Sequence, residues 1–386
     1  MSFLDLAVVC AVALAGPLLA TPRRWHLPVV LGELLAGVVL GATGFGVLEA
    51  GEPTFSFLGN CGFVLVMFVA GTHVPVRDPR LRTALRSGVL RAVLVGVVAV
   101  GLGYAVAQLV DTPHALLYAV LMASSSAAIV LPTVDSLGLT GTDLVDLLPQ
   151  VAIADSLCIV LLPLVIDSAH VVRAGIGAAA VIAAGVVLFL LLRWVERSGV
   201  RVRVHDVSED RQFAVELRVS LAAVFAMSAL AVGVHVSLML AGFVSGLAVA
   251  AVGEPRRVAK QLFAVTQGFF GPLFFVWLGA SLQLRDLVDH PSMIALGVCL
   301  GAGAALAHLT AVVLRQPPAY AMLATAQLGV PVAAATVGQQ LHVLEPGEGA
   351  ALVLGALVAL AVTVTGGSLA ARRRTPEPQQ AHPTQP

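Results

Sequence analysis

The sequence predicts an all-α polytopic membrane protein with thirteen transmembrane helices, arranged as two six-helix inverted repeats joined by a linker helix. Three observations predict this fold: an apolar composition, the number of long apolar runs, and the one-sided distribution of arginine. The chain is 58% hydrophobic and 11% charged, whereas soluble domains are about 45–50% apolar and about 25% charged. Its net charge is zero and it has no long basic run, which argues against a nucleic-acid partner.

Apolar runs of about 20 residues match the ~30 Å hydrocarbon core of a bilayer, because an α-helix rises ~1.5 Å per residue. Short polar loops separate these runs and leave no room for a soluble domain. The predicted transmembrane segments are 3–20, 27–47, 54–75, 88–110, 114–137, 145–168, 173–195, 212–233, 236–252, 262–284, 291–314, 318–343 and 347–370. Beyond them, residues 372–386 are rich in proline and glutamine, which predicts a disordered cytoplasmic tail.

The arginine distribution predicts orientation, because cytoplasmic loops of membrane proteins are enriched in Lys and Arg. If the N-terminus is outside, the outer loops hold only Arg173 and Arg285. The inner loops then hold Arg23, Arg24, Arg77, Arg80, Arg82, Arg86, Arg197, Arg201, Arg203, Arg211, Arg256, Arg257, Lys260, Arg315, Arg372, Arg373 and Arg374. We therefore expect a multi-pass protein of the cell membrane with a cytoplasmic C-terminus. Arg91 is expected to snorkel to the inner surface.

Thirteen helices divide into six, one linking helix and six more, so the second half enters the bilayer from the opposite face. Inverted repeats of this kind are common in secondary transporters. The predicted organisation is a membrane domain over 1–371, followed by the tail. Within it we expect a first repeat, a linker helix with an inner loop, and a second repeat at 1–172, 173–211 and 212–371.

Two predicted helices carry interruptions near mid-span, and each is the fifth helix of its half. The first contains Ser124, Ser125 and Ser126 followed by Pro132; the second contains Gln327, Gly329 and Pro331. Serine hydroxyls compete for backbone hydrogen bonds and proline removes a donor, so both helices are expected to break. Paired breaks at corresponding positions indicate a midplane binding site. The alternative is that these residues only kink their helices.

Asp155 is an isolated acid in the apolar sixth segment, VAIADSLCIV. It lies about ten residues, or ~15 Å, into its helix, close to the centre of a ~30 Å core. Ser125 and Gln327 lie at similar depth. A carboxylate exposed to lipid there would cost several kcal/mol, so Asp155 is expected to face a protein interior or a wet cavity. One carboxylate beside hydroxyls and free carbonyls can hold either a proton or a monovalent cation.

Several motifs resemble the cation:proton antiporter-2 family of the monovalent sodium/proton exchanger superfamily. They are LGELLAGVVLGATGFG (31–46), CGFVLVMFVAGTHVP (61–75), MASSSAAIVLPTVDSLGL (122–139), QVAIADSLCIVLLPL (150–164), VSLMLAGFVSGLAVA (236–250) and FFGPLFFVWLGASLQL (269–284). The resemblance covers about 1–371. It implies a homodimer, two crossed unwound helices in a mobile core domain, and elevator-type alternating access. It also implies that Asp155, with Ser125 and Ser126, binds the proton and the cation, supported by Gln327, Ser124 and Ala154.

The chain departs from the family pattern at two positions. Electrogenic members usually have two adjacent acids, but Ala154 precedes Asp155 here, and many members have a mid-span lysine where this chain has residues around Ala304. Only Asp155 is then available to change charge at the centre. The sequence therefore predicts electroneutral 1:1 exchange of Na⁺ or K⁺ for H⁺, with no cofactor.

Two further ionisable residues are candidate pH sensors. His308 could stand in for the missing lysine, although a histidine bonded to a carbonyl near the inner end of its helix is the favoured interpretation. Glu33 could instead pair with a basic loop residue such as Arg24 and stabilise the inner mouth. Direct ion ligation by Glu33 is the less favoured alternative.

Other functions compete with the antiporter hypothesis. The missing acid and lysine would also suit a degenerate member that acts as a sensor or scaffold on the same fold. The sequence contains no HExxH, no GxSxG and no metal-ligand cluster, which argues against an enzyme. An organic-anion transporter would require cationic groups in a pocket at the membrane midplane, and none is evident in the sequence. Ion preference and any accessory cytoplasmic subunit stay open.

Overall fold

The computed structural model is all-helical. It describes residues 1–21, 29–72, 74, 79–139, 141–166, 171–198, 215–234, 236–253, 256–282, 285, 287 and 290–372. The first nine helices are α1 (Phe3–Ala13), α2 (Ala15–Ala20), α3 (Val29–Leu40), α4 (Pro53–Thr72), α5 (Pro79–Val110), α6 (Ala115–Ala123), α7 (Ala127–Ser136), α8 (Thr142–Ile166) and α9 (Val171–Arg197).

The second part of the chain continues the helical pattern and adds two irregular turns. Its α-helices are α10 (Val215–Gly233), α11 (Leu238–Val252), α12 (Arg256–Val265), α13 (Gly271–Ser281), α14 (Pro291–Leu309), α15 (Pro318–Ala324), α16 (Gly329–Leu341) and α17 (Glu348–Arg372). A π-helix, Thr266–Phe270, joins α12 to α13. A 3₁₀-helix, Thr310–Leu314, follows α14.

The predicted segments correspond to observed helices. Within the described ranges, nine helices are long and apolar enough to cross a membrane. Three further segments correspond to the shorter apolar helices Val29–Leu40, Leu217–Gly233 and Leu238–Val252. The remaining segment is the interrupted pair α6 and α7. The chain is thus an all-helical, multi-pass membrane protein. Helices suit a membrane because backbone groups in hydrocarbon must form their hydrogen bonds within the protein.

Several predicted boundaries differ from the structure. α5 begins at Pro79, nine residues before its predicted segment (88–110). The second segment was expected over 27–47, but α3 ends at Leu40 and a turn follows in which Gly46 has a φ of 67°. Glycine adopts this left-handed conformation without strain, which allows the turn after α3 to close with a hydrogen bond from the Gly46 N–H to the Gly41 carbonyl. The tail was expected from 372, yet Arg372 is the last residue of α17. The predicted tail beyond it and residues 199–211 of the predicted inner loop lie outside the described residues.

The helices pack as two groups that meet at a cavity. In one group α4 packs along α11 and α3 packs along α13. In the other, α5 packs along α6 and α8, while α14, α15 and α16 pack against α17. Contacts of α4 with α7, and of α11 with α8, join the two groups.

Reciprocal glycines set the distance between α3 and α13. A Cβ atom at Gly37 would lie 2.2 Å from the Val276 carbonyl oxygen, and one at Gly279 would lie 2.1 Å from the Leu34 carbonyl oxygen. Small residues allow membrane helices to approach this closely. The contact fixes α3, and with it Glu33, on one wall of the cavity.

Candidate functional site

The two helix breaks predicted from the sequence are present and contact each other. Residues 124–126 separate α6 from α7, and residues 325–328 separate α15 from α16. The Ser125 hydroxyl donates a hydrogen bond of 2.7 Å to the Ala324 carbonyl, the last in α15. Ser124 Oγ lies 2.7 Å from Gln327 Oε1. Each break therefore supplies polar partners to the other.

Local chemistry explains where each helix stops. Ser124 leaves the helical conformation with a ψ of 151°, and its hydroxyl lies 2.8 Å from the Leu121 carbonyl, which also accepts a 3.1 Å hydrogen bond from the Ser124 N–H. α16 begins at Gly329, so Pro331 falls in its first turn. Proline is tolerated there, because the first N–H groups of a helix have no intrahelical acceptor.

Asp155 lies beside the first break. Its side chain is 5% exposed, and its Oδ2 accepts a 3.1 Å hydrogen bond from the backbone N–H of Ala127. Ala127 is the first residue of α7, so the carboxylate meets the positive end of that helix dipole. Free carbonyls were expected beside Asp155, whereas the observed contact is with a helix N-terminus.

Asp155 lines a cavity of about 330 Å³ between the two helix groups. One wall comes from α3, α4, α12, the π-helix and α13, and the other from Ser126, α7, α8 and α16. Most lining side chains are apolar, including Met67, Phe274 and Leu328. The polar side chains that line it are Glu33, Ser126, Asp155, Thr266 and Gln267.

The predicted site residues separate into two sets. Ser126 and Asp155 line the cavity, as does the candidate pH sensor Glu33. A second set is buried behind the cavity wall, where it connects or flanks the breaks: Ser124, Ser125, Gln327 and Ala154. The Ser125 hydroxyl donates a hydrogen bond to the Ala324 carbonyl. This contact favours a structural role for Ser125, in which it holds the two breaks together.

His308 is fully buried and contacts the first break. Its Nε2 lies 3.2 Å from the Ser124 carbonyl oxygen. A carbonyl can only accept, so Nε2 must carry a proton. Nδ1 has no hydrogen-bond partner among the described residues. His308 thus lies in the last turn of α14 and bonds to a carbonyl, as the favoured interpretation had it, and that carbonyl belongs to the unwound backbone of the first break.

Glu33 is 4% exposed and shares the cavity with Asp155. Glu33 was expected to pair with a basic loop residue such as Arg24, and Arg24 lies outside the described residues. The cavity is therefore lined by two carboxyl groups, those of Glu33 and Asp155.

Sequence reasoning missed the π-helix. The turn Thr266–Phe270 contributes Thr266 and Gln267 to the cavity, and the buried Thr266 Oγ1 has no partner within the described residues. π-helical turns concentrate at functional sites. The one available signal was Pro272 within the tenth segment, which indicated only a kink.

Comparison with protein families gives a match over nearly the whole chain. Residues 9–371 match the family described as "Sodium/hydrogen exchanger, transmembrane". GerN of Bacillus cereus, named as a Na(+)/H(+)-K(+) antiporter, is 25% identical over 72% of this chain and 71% of its own length.

Two other relatives are longer than the region they share with this chain. YjbQ of Bacillus subtilis (strain 168) is 25% identical over 93% of this chain and 61% of its own length. KefC of Enterobacter sp. (strain 638), named as a glutathione-regulated potassium-efflux system protein, is 28% identical over 69% of this chain and 43% of its own. The chain therefore spans less than two thirds of either relative.

A solved structure shares the architecture. The sodium proton antiporter MjNhaP1 from Methanocaldococcus jannaschii superposes with a TM-score of 0.63 and 14% sequence identity, covering 96% of each chain. At this identity the likeness shows the fold alone.

Proposed function

Because the chain belongs to the sodium/hydrogen exchanger family, we propose that it is a secondary active antiporter that exchanges Na⁺ or K⁺ for H⁺ across the cell membrane. The resemblance predicted from the motifs is confirmed at the level of this family, which is a family of transporters and not of enzymes. The names of GerN and KefC, which mention sodium and potassium, support a monovalent cation as substrate.

The Asp155 carboxylate, in a largely apolar cavity beside two helix breaks, is the observation on which the proposal depends. A protonated carboxyl is neutral and has lost the charge that attracts a cation, so one side chain holds the two substrates in turn. Ser126 lines the same cavity and can supply a second oxygen to the cation. The Ala127 N–H stabilises the carboxylate when neither substrate is bound.

The proposed stoichiometry is one cation for one proton. The neighbour of Asp155 is Ala154, and the buried Ala304 in α14 occupies the region where the resemblance implies a lysine. If Glu33 keeps one protonation state throughout the cycle, Asp155 alone changes charge and transport moves no net charge.

The transport cycle we propose is elevator-type. The cavity lies between two helix groups, so movement of one group against the other would open it to alternate sides. Two inverted repeats (1–172 and 212–371), a homodimer, and an outside N-terminus with a cytoplasmic C-terminus belong to the same proposal.

Proteoliposomes test the proposal. Adding Na⁺, K⁺ or Li⁺ outside vesicles loaded with a pH dye should drive cation-dependent proton flux, without a sustained current on solid-supported membranes. A peak current that follows Na⁺ concentration and requires Asp155 would contradict electroneutrality. If no cation drives proton flux at any pH between about 6 and about 9, the alternative is favoured. In that alternative, the chain is a degenerate member of the family that acts as a sensor or scaffold, which the missing acid and lysine would also suit.

A further inference from the structure

We propose that a pocket between α5 and the 3₁₀-helix binds the phosphate headgroup of an anionic phospholipid. The pocket has a volume of about 280 Å³. It is lined by Ser87, Leu90 and Arg91 from α5 and by Val313, Leu314 and Arg315 from the other side. It is separate from the cavity that contains Asp155.

Arg91 supplies a buried cation with spare hydrogen-bonding capacity. Arg91 was expected to snorkel to the inner surface, but its side chain is only 6% exposed. Its Nη2 lies 3.3 Å from Asp146 Oδ2 and 3.4 Å from the Leu314 carbonyl oxygen, and its Nη1 lies 3.4 Å from the Asp146 carbonyl oxygen. These contacts are long for charge-assisted bonds, which are typically ~2.7–2.9 Å. Nε has no partner among the described residues.

Arg315 supplies a second cation on the opposite side of the pocket. It is exposed and has a φ of 61°, a left-handed conformation that is uncommon for residues other than glycine. The next residue anchors this turn, because the buried Gln316 donates a 2.8 Å hydrogen bond from Nε2 to Gln150 Oε1 on α8. The turn therefore holds Arg315 at the pocket in a fixed backbone conformation.

The charges favour an anion despite the nearby carboxylate. Asp146 contacts the Nη1 and Nη2 side of the Arg91 guanidinium, while Nε has no partner within the part of the chain that the structure describes. A phosphate oxygen can therefore bond to Arg91 without displacing Asp146, and Arg315 adds a positive charge that Asp146 does not pair. Arginine suits phosphate because its planar fork offers several donors at once.

The rim of the pocket favours a lipid over free phosphate. Leu90 is 51% exposed and Val313 is 81% exposed. Farther along α5, Val93 and Val97 are also exposed. The apolar surface therefore continues beyond the pocket, where the acyl chains of a bound lipid could pack against it. Basic pockets between transmembrane helices are a known form of lipid-headgroup site. A soluble phosphate would gain nothing from this apolar surface.

Native mass spectrometry of the full-length protein in detergent tests the site. The probes are phosphatidylglycerol, phosphatidylcholine and inorganic phosphate, each titrated separately. We expect phosphatidylglycerol to bind more tightly than phosphatidylcholine, and Arg315→Gln to weaken it about fivefold, the equivalent of about 1 kcal/mol per surface arginine. Arg315 is exposed, so this variant avoids the folding risk of removing the buried Arg91.

Arg197→Gln is the matched control, because Arg197 is also exposed and is predicted to lie on the same membrane face. It should bind phosphatidylglycerol as the wild type does. Equal affinity of wild type and Arg315→Gln would overturn the proposal. So would equal binding of phosphatidylcholine, which would indicate a nonspecific apolar surface, or inorganic phosphate binding as tightly as phosphatidylglycerol, which would indicate a free-anion site.

Discussion

The backbone N–H of Ala127 donates a 3.1 Å hydrogen bond to Asp155 Oδ2, which joins the proposed ion-binding acid to the first residue after a helix break. A proton or a cation that neutralises the carboxylate weakens its attraction to this N–H. If Asp155 binds the substrates as proposed, their binding is linked to the position of α7. Contacts between the two breaks extend the link to α15 and α16.

Replacing Ser125 by alanine should destabilise the contact between the breaks. The change removes the 2.7 Å bond to the Ala324 carbonyl and leaves that buried acceptor unpaired, at a cost of about 1–3 kcal/mol in the free energy of unfolding. Unfolding in detergent measures the loss, and proteoliposome flux should fall with it. Ser245→Ala is the control, since the hydroxyl of the buried Ser245 donates a hydrogen bond to the Ala241 carbonyl of its own helix. Equal effects of the two substitutions would refute a special role for Ser125.

Substitutions at His308 distinguish a structural residue from a pH sensor. We expect His308→Leu to cost about 1–3 kcal/mol, because the Ser124 carbonyl loses its donor. His308→Gln keeps a donor and should retain both most of the stability and the pH profile of cation-driven proton flux. If the glutamine variant instead shows a flattened or displaced profile, the imidazole is itself the sensor.

Glu33→Gln should weaken exchange without abolishing it. The carboxyl group lines the cavity, so its loss should lower the apparent cation affinity by less than about tenfold, or about 1.4 kcal/mol, while one-for-one coupling persists. Flux at a series of Na⁺ concentrations measures the affinity. Glu49→Gln, at an exposed position, serves as the control. Complete loss of flux in Glu33→Gln would instead make Glu33 a second essential acid.

His114 should make stability depend on pH. It lies in the connection before α6, and its Nδ1 is 2.8 Å from Oε1 of the buried Glu348 at the start of α17. This hydrogen bond raises the pKa of His114 above its usual value of about 6.5. The stabilisation is therefore complete below about pH 6.5 and is lost as the pH rises through the raised pKa.

Unfolding of wild type and His114→Gln over a pH series measures this effect. The wild type should be the more stable protein below about pH 6.5, and the difference should shrink at higher pH. A difference between wild type and His114→Gln that does not vary with pH would refute the charged pair.

The fold could be predicted largely from hydropathy, because lipid requires long apolar helices with their backbone bonds satisfied internally. The breaks at Ser124–Ser126 and at Gln327 were also visible, since serine, glycine and proline disfavour a continuous helix locally. α3 was predicted too long because apolar residues continue past Leu40 into a glycine turn. The π-helix could not be predicted, because Pro272 indicates only a kink in this segment and the hydrogen-bond register depends on packing.

The site could be predicted only in part. An isolated acid in an apolar run marked Asp155, but its donor, the Ala127 N–H, lies 28 residues away in sequence. The Ser125 hydroxyl was expected beside the ion, yet it bonds to a carbonyl 199 residues away. Arg91 was expected to reach the inner surface but is buried against Asp146. Such partners are set by tertiary packing, which side-chain type and helix depth do not specify.

Cation-dependent proton flux in liposomes, compared between wild type and Asp155→Asn, tests the central claim most directly. Asparagine matches aspartate in size and can still accept the Ala127 N–H bond, but it cannot take up a proton or carry the charge that holds a cation. The account predicts that the variant folds with unchanged helical content while flux falls to the level of protein-free liposomes. Flux that persists in the folded Asp155→Asn variant would contradict the claim.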